Sequence, residues 1–256
     1  MALDLPRTLT PSKVSAFTSC PLAFRFSQIE RLPEPPSPHA VKGTLVHAAL
    51  ERLFWHHPPG ARTLAAAYHE LDEAWTALQD DEEFSALRLA PAEAEEFLAD
   101  ARDLVANVFE LEDPNATRTV AVELGVEAVV EGMRLRGIID RLDVGPEGRL
   151  VVVDYKTGRA PGERYERGSL GGVHTYALLC ESVLGEMPAE VRLLYLRQPV
   201  AISTAASAQT VRGQRKRAVA VWAAIERACA SEDFRPHVSA LCTSCNFKAA
   251  CPAFGG

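Results

Sequence analysis

Apolar residues recur at helical spacing over residues 41–55, where Leu45, Val46, Ala49, Leu50, Leu53 and Phe54 share one face. Upstream, Thr10-Pro11-Ser12 supplies an N-cap followed by proline at the first helical position, which opens a short helix toward Thr18. Cys20-Pro21 interrupts it, a second short helix is expected over 22–29, and the proline-rich run 33–38 reads as a stiff connector. Two further helices are expected over 64–78 and 92–111, the latter opened by Pro91. The period then changes. Residues 120–130, 133–144 and 150–155 are rich in Val, Ile and Leu and are separated by Glu131-Gly132 and Gly145-Pro146-Glu147-Gly148. Both separators are turn sequences, so three antiparallel strands in a meander are predicted. A helix near 172–184, strands over 191–196 and 200–204, a helix over 211–230 and an irregular, cysteine-rich tail over 231–256 complete the expected order.

Composition sets bounds on this pattern. The chain has 256 residues, 47% of them hydrophobic and 24% charged, which is ordinary for a globular protein with a real core. The longest apolar run, residues 218–225, is too short for a membrane helix, and Met1-Ala2-Leu3-Asp4 lacks the features of a secretory signal. A cytoplasmic protein without a membrane partner is therefore expected. The net charge of −7 at first disfavours a nucleic-acid partner. However, the stretch from Asp80 to Asp113 holds twelve acidic residues against Arg88 and Arg102, a local −10 that leaves +3 on the remainder. Binding answers to the local field, so the overall acidity excludes nothing. The acidic run itself fits a solvated helix face.

The candidate chemistry begins with Asp154-Tyr155-Lys156 at the end of the third strand. Period-two alternation places Asp154 and Lys156 on one face and Tyr155 on the other. With a regular hairpin at 145–148, Asp143 falls opposite about Leu150 and Asp140 near Val153 or Asp154. Two carboxylates and an ammonium would then converge. Mg²⁺ or Mn²⁺ would relieve the repulsion between the carboxylates. A plain salt bridge from Lys156 to Asp140 or Asp154 on a solvated sheet edge fits the same spacing.

These residues carry a resemblance. Gly137-Ile138-Ile139-Asp140-Arg141 followed by Val152-Val153-Asp154-Tyr155-Lys156-Thr157-Gly158 is similar to the core of the PD-(D/E)XK nucleases, and within them to the RecB-like exonuclease branch. Phe17-Thr18-Ser19-Cys20-Pro21 resembles that branch's N-terminal cysteine motif, Gly43-Thr44-Leu45-Val46-His47 its helical histidine motif, and the closing cysteines complete the set. The resemblance implies an α/β, restriction-endonuclease-like core, a mixed central sheet with flanking helices. A helical segment over 8–113 precedes the nuclease core at 119–230, and the tail at 231–256 joins Cys20, all within one domain. It further implies that His47, Asp140, Asp154 and the Tyr155 carbonyl ligate the catalytic metal. Lys156 would orient or activate water and offset transition-state charge. Glu123 matches an acidic position that assists metal or water placement.

The resemblance departs at one point. The branch carries Gln-x-x-x-Tyr on the helix after the lysine, whereas here Tyr176 follows Gly172. Tyr176 would stack on a base or fill the core, and His174 is a neighbouring substitute for the missing contact.

Cys242-x₂-Cys245-x₅-Cys251 with Cys20 supplies four thiolates, enough for tetrahedral zinc or a [4Fe–4S] cluster. A lone N-terminal cysteine with a C-terminal trio is the arrangement the resembling nucleases use for [4Fe–4S], with zinc the less favoured occupant. Cys180 and Cys229 read as core. Arg159, Arg164 and Arg167 after the lysine, and Arg212, Arg215, Lys216 and Arg217 on the last helix, are candidates to track phosphates. The resulting expectation is a metal-dependent exonuclease of single-stranded DNA in repair or end processing. A catalytically silent iron–sulfur nucleic-acid-binding module and a zinc-stapled structural protein are the competing classes. The chain has no phosphate-binding loop of the helicase type, so helicase activity would come from a partner.

Overall fold

Five strands form one sheet in the order β1-β2-β3-β4-β5: β1 (Thr119–Val130), β2 (Met133–Val144), β3 (Leu150–Lys156), β4 (Glu190–Tyr195) and β5 (Val200–Ala205). The computed structural model describes residues 3–162 and 166–255, so Arg164 lies outside the described residues, as does the side chain of Arg167. β1, β2 and β3 are the expected antiparallel meander. β3 and β4 run parallel, joined by the crossover helix α7 defined below, and β5 returns antiparallel. The sheet is thus mixed and flanked by helices, as expected.

Eight α-helices surround it: α1 (Pro11–Ser19), α2 (Pro21–Phe24), α3 (Pro38–His56), α4 (Leu64–Leu78), α5 (Glu82–Leu87), α6 (Pro91–Leu111), α7 (Glu166–Leu184) and α8 (Ala208–Ser231), counted among the described residues. Prolines stand at the first helical turn of α1, α2, α3 and α6, where no amide donor is needed. Thr10, Ser37 and Thr63 cap α1, α3 and α4 by accepting from the N–H groups of Lys13, Ala40 and Ala66. Several boundaries differ from expectation for this reason. The last proline of the expected connector, Pro38, starts α3. Ser207 caps α8, which therefore begins at Ala208. α7 starts at Glu166 rather than near Gly172. The expected helix over 22–29 is α2 followed by a π-helical turn, Arg25–Ile29. α5, capped by Asp81, lay hidden in the acidic run. The tail is not wholly irregular, since it carries three short 3₁₀ turns. No helix of the described residues is long and apolar enough to cross a membrane.

The core has two parts. Val152, Val191 and Leu193 pack with α1, α2, α7 and α8 in one cluster. Val151, Val153, Tyr155 and Leu194 pack with α3, α4 and α6 in the other. Alternation along β3 therefore sends Tyr155 toward the helical segment and turns Asp154 and Lys156 toward α7. β3 is shorter than β2, and Leu9 fills part of the edge it leaves: Leu9 N–H donates to the Arg134 carbonyl (2.8 Å) and Arg136 N–H donates to the Leu9 carbonyl (2.9 Å). That contact brings the start of α1 to the mouth of the site.

Arg141 is the buried polar centre between these layers. It is 0% exposed and sits 4.1 Å over the Phe54 ring of α3. Its guanidinium donates to both oxygens of Glu112 (2.5 and 2.9 Å), to Asp143 (2.9 Å) and to the Tyr155 hydroxyl (2.6 Å). The planar fork thereby joins the end of α6 to β2 and β3. Removing one partner of such a buried set strands the others without water. Arg141→Met is expected to lower unfolding stability by about 3–5 kcal/mol, with Arg141→Lys restoring little, as read by urea unfolding. A loss under about 1 kcal/mol would show that the network is dispensable.

Candidate metal centre and its cleft

Four elements deliver the charged residues to one place. The register Arg141↔Val153 and Leu142↔Val152 sets Asp140 beside Asp154, and the Tyr155 N–H donates to Asp140 Oδ2 at 2.8 Å. Asp143 pairs with Val151 rather than Leu150, because Val144↔Leu150 is the closing pair of the hairpin. On β1, Glu123 lies between the pairs Val122↔Arg141 and Leu124↔Ile139, and so opposite Asp140. Its φ of 43° is left-handed, uncommon for a residue with a side chain and a mark of local strain. From α3, His47 Nδ1 lies 3.5 Å from Asp140 Oδ2 and 3.8 Å from Glu123 Oε1. One ligand atom from each of His47, Glu123 and Asp140 falls within 4.8 Å of the others, the one such group of three among the described residues. Asp154 is buried beside this group, with its Oδ2 in ion-pair contact with Lys156 Nζ. The Tyr176 hydroxyl lies near Asp154, and burial together with the Asp154, Asp140 and Glu123 charges raises its pKa well above the ordinary value. The salt bridge weighed from spacing is therefore present, but inside a larger anionic cluster and not alone on an edge.

The cluster is short of positive charge. Burial and the neighbouring Asp154 carboxylate raise Asp140 from 3.8 to about 7. Burial alone would lower the pKa of His47, but the facing Glu123, Asp140 and Asp154 carboxylates carry it above its ordinary value. Lys156 is likewise pulled down by burial and then raised past its ordinary value by Asp154. These residues fit a divalent cation. Oxygen-rich donors with one imidazole suit magnesium or manganese, and protons take the cation's place when none is bound.

A cleft of about 670 Å³ opens onto the cluster. Its walls include Thr10 and Ser12 at the start of α1, Arg136 and Ile138 on β2, and Tyr176 on α7. The Tyr176 ring lies against Gly137, where a Cβ would sit 2.9 Å from Cε1. The glycine of the Gly137-Ile138-Ile139-Asp140 stretch thus makes room for the tyrosine that supports Asp154. The sequence analysis gives Thr10, Ser12, Arg136 and Ile138 no part in the site, although it reads Thr10 and Ser12 as a helix start and Ile138 as part of the Gly137–Arg141 stretch. Arg159 is not in this cleft; it lines a neighbouring cavity. Neither His174 nor the α8 residues Arg212, Arg215, Lys216 and Arg217 line the cleft, and Arg215 pairs with Glu181 at 3.6 Å.

In a separate cavity, Cys20, Cys242, Cys245 and Cys251 line the walls together with Phe26, Phe247 and His237. The His237 N–H donates to Cys20 Sγ and the Ser239 N–H to Cys242 Sγ, both at 3.4 Å. Cys180 and Cys229 are buried in the core, and burial pushes the Cys180 thiol up to about 11.

With this geometry established, three comparisons with known proteins apply. The sequence profile of the PD-(D/E)XK nuclease superfamily matches residues 8–252. The gene 69 protein of Mycobacterium phage D29 is 25% identical over 195 residues, which cover 61% of this chain and 65% of that protein. The chain thus spans about 65% of the length of this curated relative. A solved structure from Eubacterium rectale, provisionally named an exonuclease, aligns with a TM-score of 0.60 at 12% identity. That alignment covers 93% of this chain and 87% of the other, a likeness of fold.

The raised Asp140 and His47 values fix a sign. A group whose folded pKa lies above its unfolded value favours the fold at low pH, and that advantage is lost as pH rises through the folded value. Metal-free wild type is therefore expected to lose thermal stability relative to Asp140→Asn as pH rises through about 7. Mn²⁺ is expected to reverse the loss most strongly above that pH, since binding displaces the protons. A wild-type-minus-variant difference in Tm that stays flat with pH and ignores Mn²⁺ would rule out this electrostatic picture.

Proposed function

The chain belongs to the PD-(D/E)XK nuclease superfamily, and from that premise we propose that it is a metal-dependent exonuclease of single-stranded DNA that acts in repair or end processing. The observation that carries the proposal is the convergence of His47, Glu123, Asp140, Asp154 and Lys156 at the floor of one open cleft. His47, Asp140, Asp154 and the Tyr155 carbonyl would hold Mg²⁺ or Mn²⁺, with Glu123 completing the carboxylate set. When bound, the ion would polarise the scissile phosphate and lower the pKa of an attacking water.

The chain's own residues divide the remaining work. Lys156, with its pKa raised by Asp154, keeps its proton at neutral pH. Beside the metal it would orient or activate the attacking water and offset charge developing on the phosphate. Tyr176 sets its hydroxyl near Asp154 and offers its ring to the cleft. Arg136, Thr10 and Ser12 face the same space and suit contact with a phosphate backbone. With Ile138, 45% exposed, they form a wall able to hold a flexible strand by charge and apolar contact. The RecB-like branch, the single-strand preference and a helicase partner belong to this proposal, on the order of motifs along the chain.

The same proposal assigns a [4Fe–4S] cluster to Cys20, Cys242, Cys245 and Cys251. All four thiols line one cavity, and the lone N-terminal cysteine with a C-terminal trio, the arrangement of the resembling nucleases, supports iron–sulfur over zinc. Two backbone N–H groups already point at the sulfurs and would tune the potential of a bound cluster. The cluster would staple α2 to the tail and so close nearly the whole chain into a loop.

Two experiments decide these points. End-labelled single-stranded DNA should be shortened with Mg²⁺ or Mn²⁺ and left intact with EDTA. Asp154→Ala and Lys156→Ala should each slow cleavage by about 100-fold or more. Folded protein that cuts no DNA or RNA with either metal would instead indicate the silent binding module, a reading that Gly172 in place of glutamine favours. Separately, anaerobically purified protein should be brown and contain iron, and Cys251→Ser should lose both colour and thermal stability. Colourless protein that contains zinc would overturn the cluster assignment.

A further inference from the structure

Beside the metal centre lies a second cavity, of about 400 Å³, lined by His39, Lys42, Thr157, Gly158, Arg159 and Arg197. The two spaces are divided where Gly43 of α3 packs against Thr157, whose Oγ1 is 3.3 Å from the position a Gly43 Cβ would take. Their charges are opposite. The metal centre is a cluster of carboxylates; the neighbouring cavity gathers three permanent cations from three separate elements. Lys42 comes from the second turn of α3, Arg159 from the segment after β3, and Arg197 from the turn between β4 and β5.

One carboxylate organises two of these cations. Asp100 Oδ2 accepts from Lys42 Nζ at 2.7 Å and from Arg197 Nη1 at 2.9 Å. Lys42 is 13% exposed at its side chain and its ammonium lies 5.0 Å over the Phe97 ring, so it is held in place and does not sweep through solvent. An ion-pair triad of structural purpose would need nothing more. Yet Arg159 is exposed at the same cavity and makes no ion pair or hydrogen bond with another described residue, and the same is true of His39. After Asp100 is counted, the cavity keeps an excess of two positive charges. It adds a hydroxyl from Thr157 and the bare backbone of Gly158, around which a Cβ would meet nothing within 4 Å. Guanidinium and ammonium donors, a hydroxyl and an approachable backbone make up the chemistry that binds a phosphate.

Position supplies the second part of the argument. Lys156 lines the cleft of the candidate metal centre and the next residue, Thr157, lines this cavity, so the two spaces adjoin along one chain segment. Phosphates of one strand could therefore occupy both. Lys156 and Arg159, three residues apart in sequence, would then serve different phosphates of that strand.

We propose that this cavity is a phosphate-binding site that holds a further phosphate of the same nucleic-acid strand as the one being cut; the proposal rests on the nuclease function above. The phosphate could be an internal diester or a terminal monoester, and the test separates the two. Binding of fluorescein-labelled single-stranded oligonucleotides is measured by anisotropy in EDTA, so that cleavage plays no part. Wild type, Arg159→Ala, Arg197→Gln and, as a control in the tail, Arg235→Ala are compared at several salt concentrations.

Arg159→Ala and Arg197→Gln are each expected to weaken binding about 5- to 10-fold and to reduce the salt slope by about 0.7, the value of one lost phosphate contact to a single strand. Arg235→Ala should change neither. A loss confined to oligonucleotides with a 5′- or 3′-phosphate identifies a terminal monoester, and an equal loss with hydroxyl ends identifies an internal diester. Inorganic phosphate should compete with the oligonucleotide in wild type and lose that effect in the double variant. Unchanged affinity and slope in folded variants would overturn the site. So would a fall in Tm without a change in binding, the signature of a purely structural triad, or a wild type that does not bind the strand. The outcome is separate from that of the cleavage test. Wild type that binds with the expected slope but never cuts with metal overturns the nuclease function alone. Wild type that cuts while the variants bind normally overturns this site alone.

Discussion

The site depends on a residue that never reaches it. Arg141 follows Asp140 on β2 and points the other way, into the layer between the sheet and the helical segment. There Glu112, Asp143 and the Tyr155 hydroxyl meet its fork, and Phe54 covers its face. A cation buried this completely tolerates few arrangements, because any shift leaves it or its carboxylates unpaired in a medium that penalises bare charge. A one-residue slip of β2 against β3 would turn Arg141 into the cleft and Asp140 into the core. The buried network thus fixes, from behind, the register that sets Asp140 beside Asp154. Tyr155 serves both sides, with its hydroxyl on Arg141 and its N–H on Asp140.

The two faces of this small region differ in charge balance, and that difference separates structure from chemistry. Behind the sheet, one arginine meets two carboxylates and a phenol, each hydrogen-bonded at 2.5–2.9 Å. In front, Glu123, Asp140 and Asp154 face a single lysine and a half-buried histidine. The shortage of positive charge appears as an Asp140 carboxyl held near 7, and as a strained φ at Glu123 that aims one more carboxylate at an already anionic place. Folding alone would favour neither feature. A divalent cation makes sense of both, because it rewards the carboxylates for converging.

How much of this was legible in the sequence follows from the range of each signal. Alternation is local, so the strands, their antiparallel order and the common face of Asp154 and Lys156 could be read directly. Asp143 was misplaced by one position because the hairpin closes at Val144↔Leu150, a detail of turn geometry. Arg141 gave no local sign of its burial. A charged residue beside Asp140 in an alternating strand reads as solvent-facing until Glu112, many residues earlier and on another element, is brought to it. The same reason hid the cleft wall. Thr10 and Ser12 reach the metal centre because Leu9 bridges to β2 along the edge that the short β3 leaves open. Strand lengths must be known before that pairing can be inferred. Arg159 was identified by proximity to Lys156 in sequence, but the turn after β3 carries it around Gly43 and Thr157 into a different cavity.

The substitution of Gly172 for glutamine can be weighed in the same physical terms. Gly172 and Tyr176 are one helical turn apart and both line the cleft, so the two positions of the expected pair still share a face. A Cβ at Gly172 would meet nothing within 4 Å, whereas a Cβ at Gly137 would collide with the Tyr176 ring. The tyrosine is therefore built into the wall that supports Asp154, and the position before it opens onto empty cleft. Losing a side chain at Gly172 removes a contact with whatever occupies the cleft and leaves the carboxylates where they were. The half of the pair present here is the half that packs beside the candidate metal centre. Polar contact with a strand would fall to the opposite wall, where Thr10, Ser12 and Arg136 face the same space. The proposed catalysis gives one account of the glycine under that tyrosine, the strained glutamate on β1 and the lysine paired to a buried aspartate.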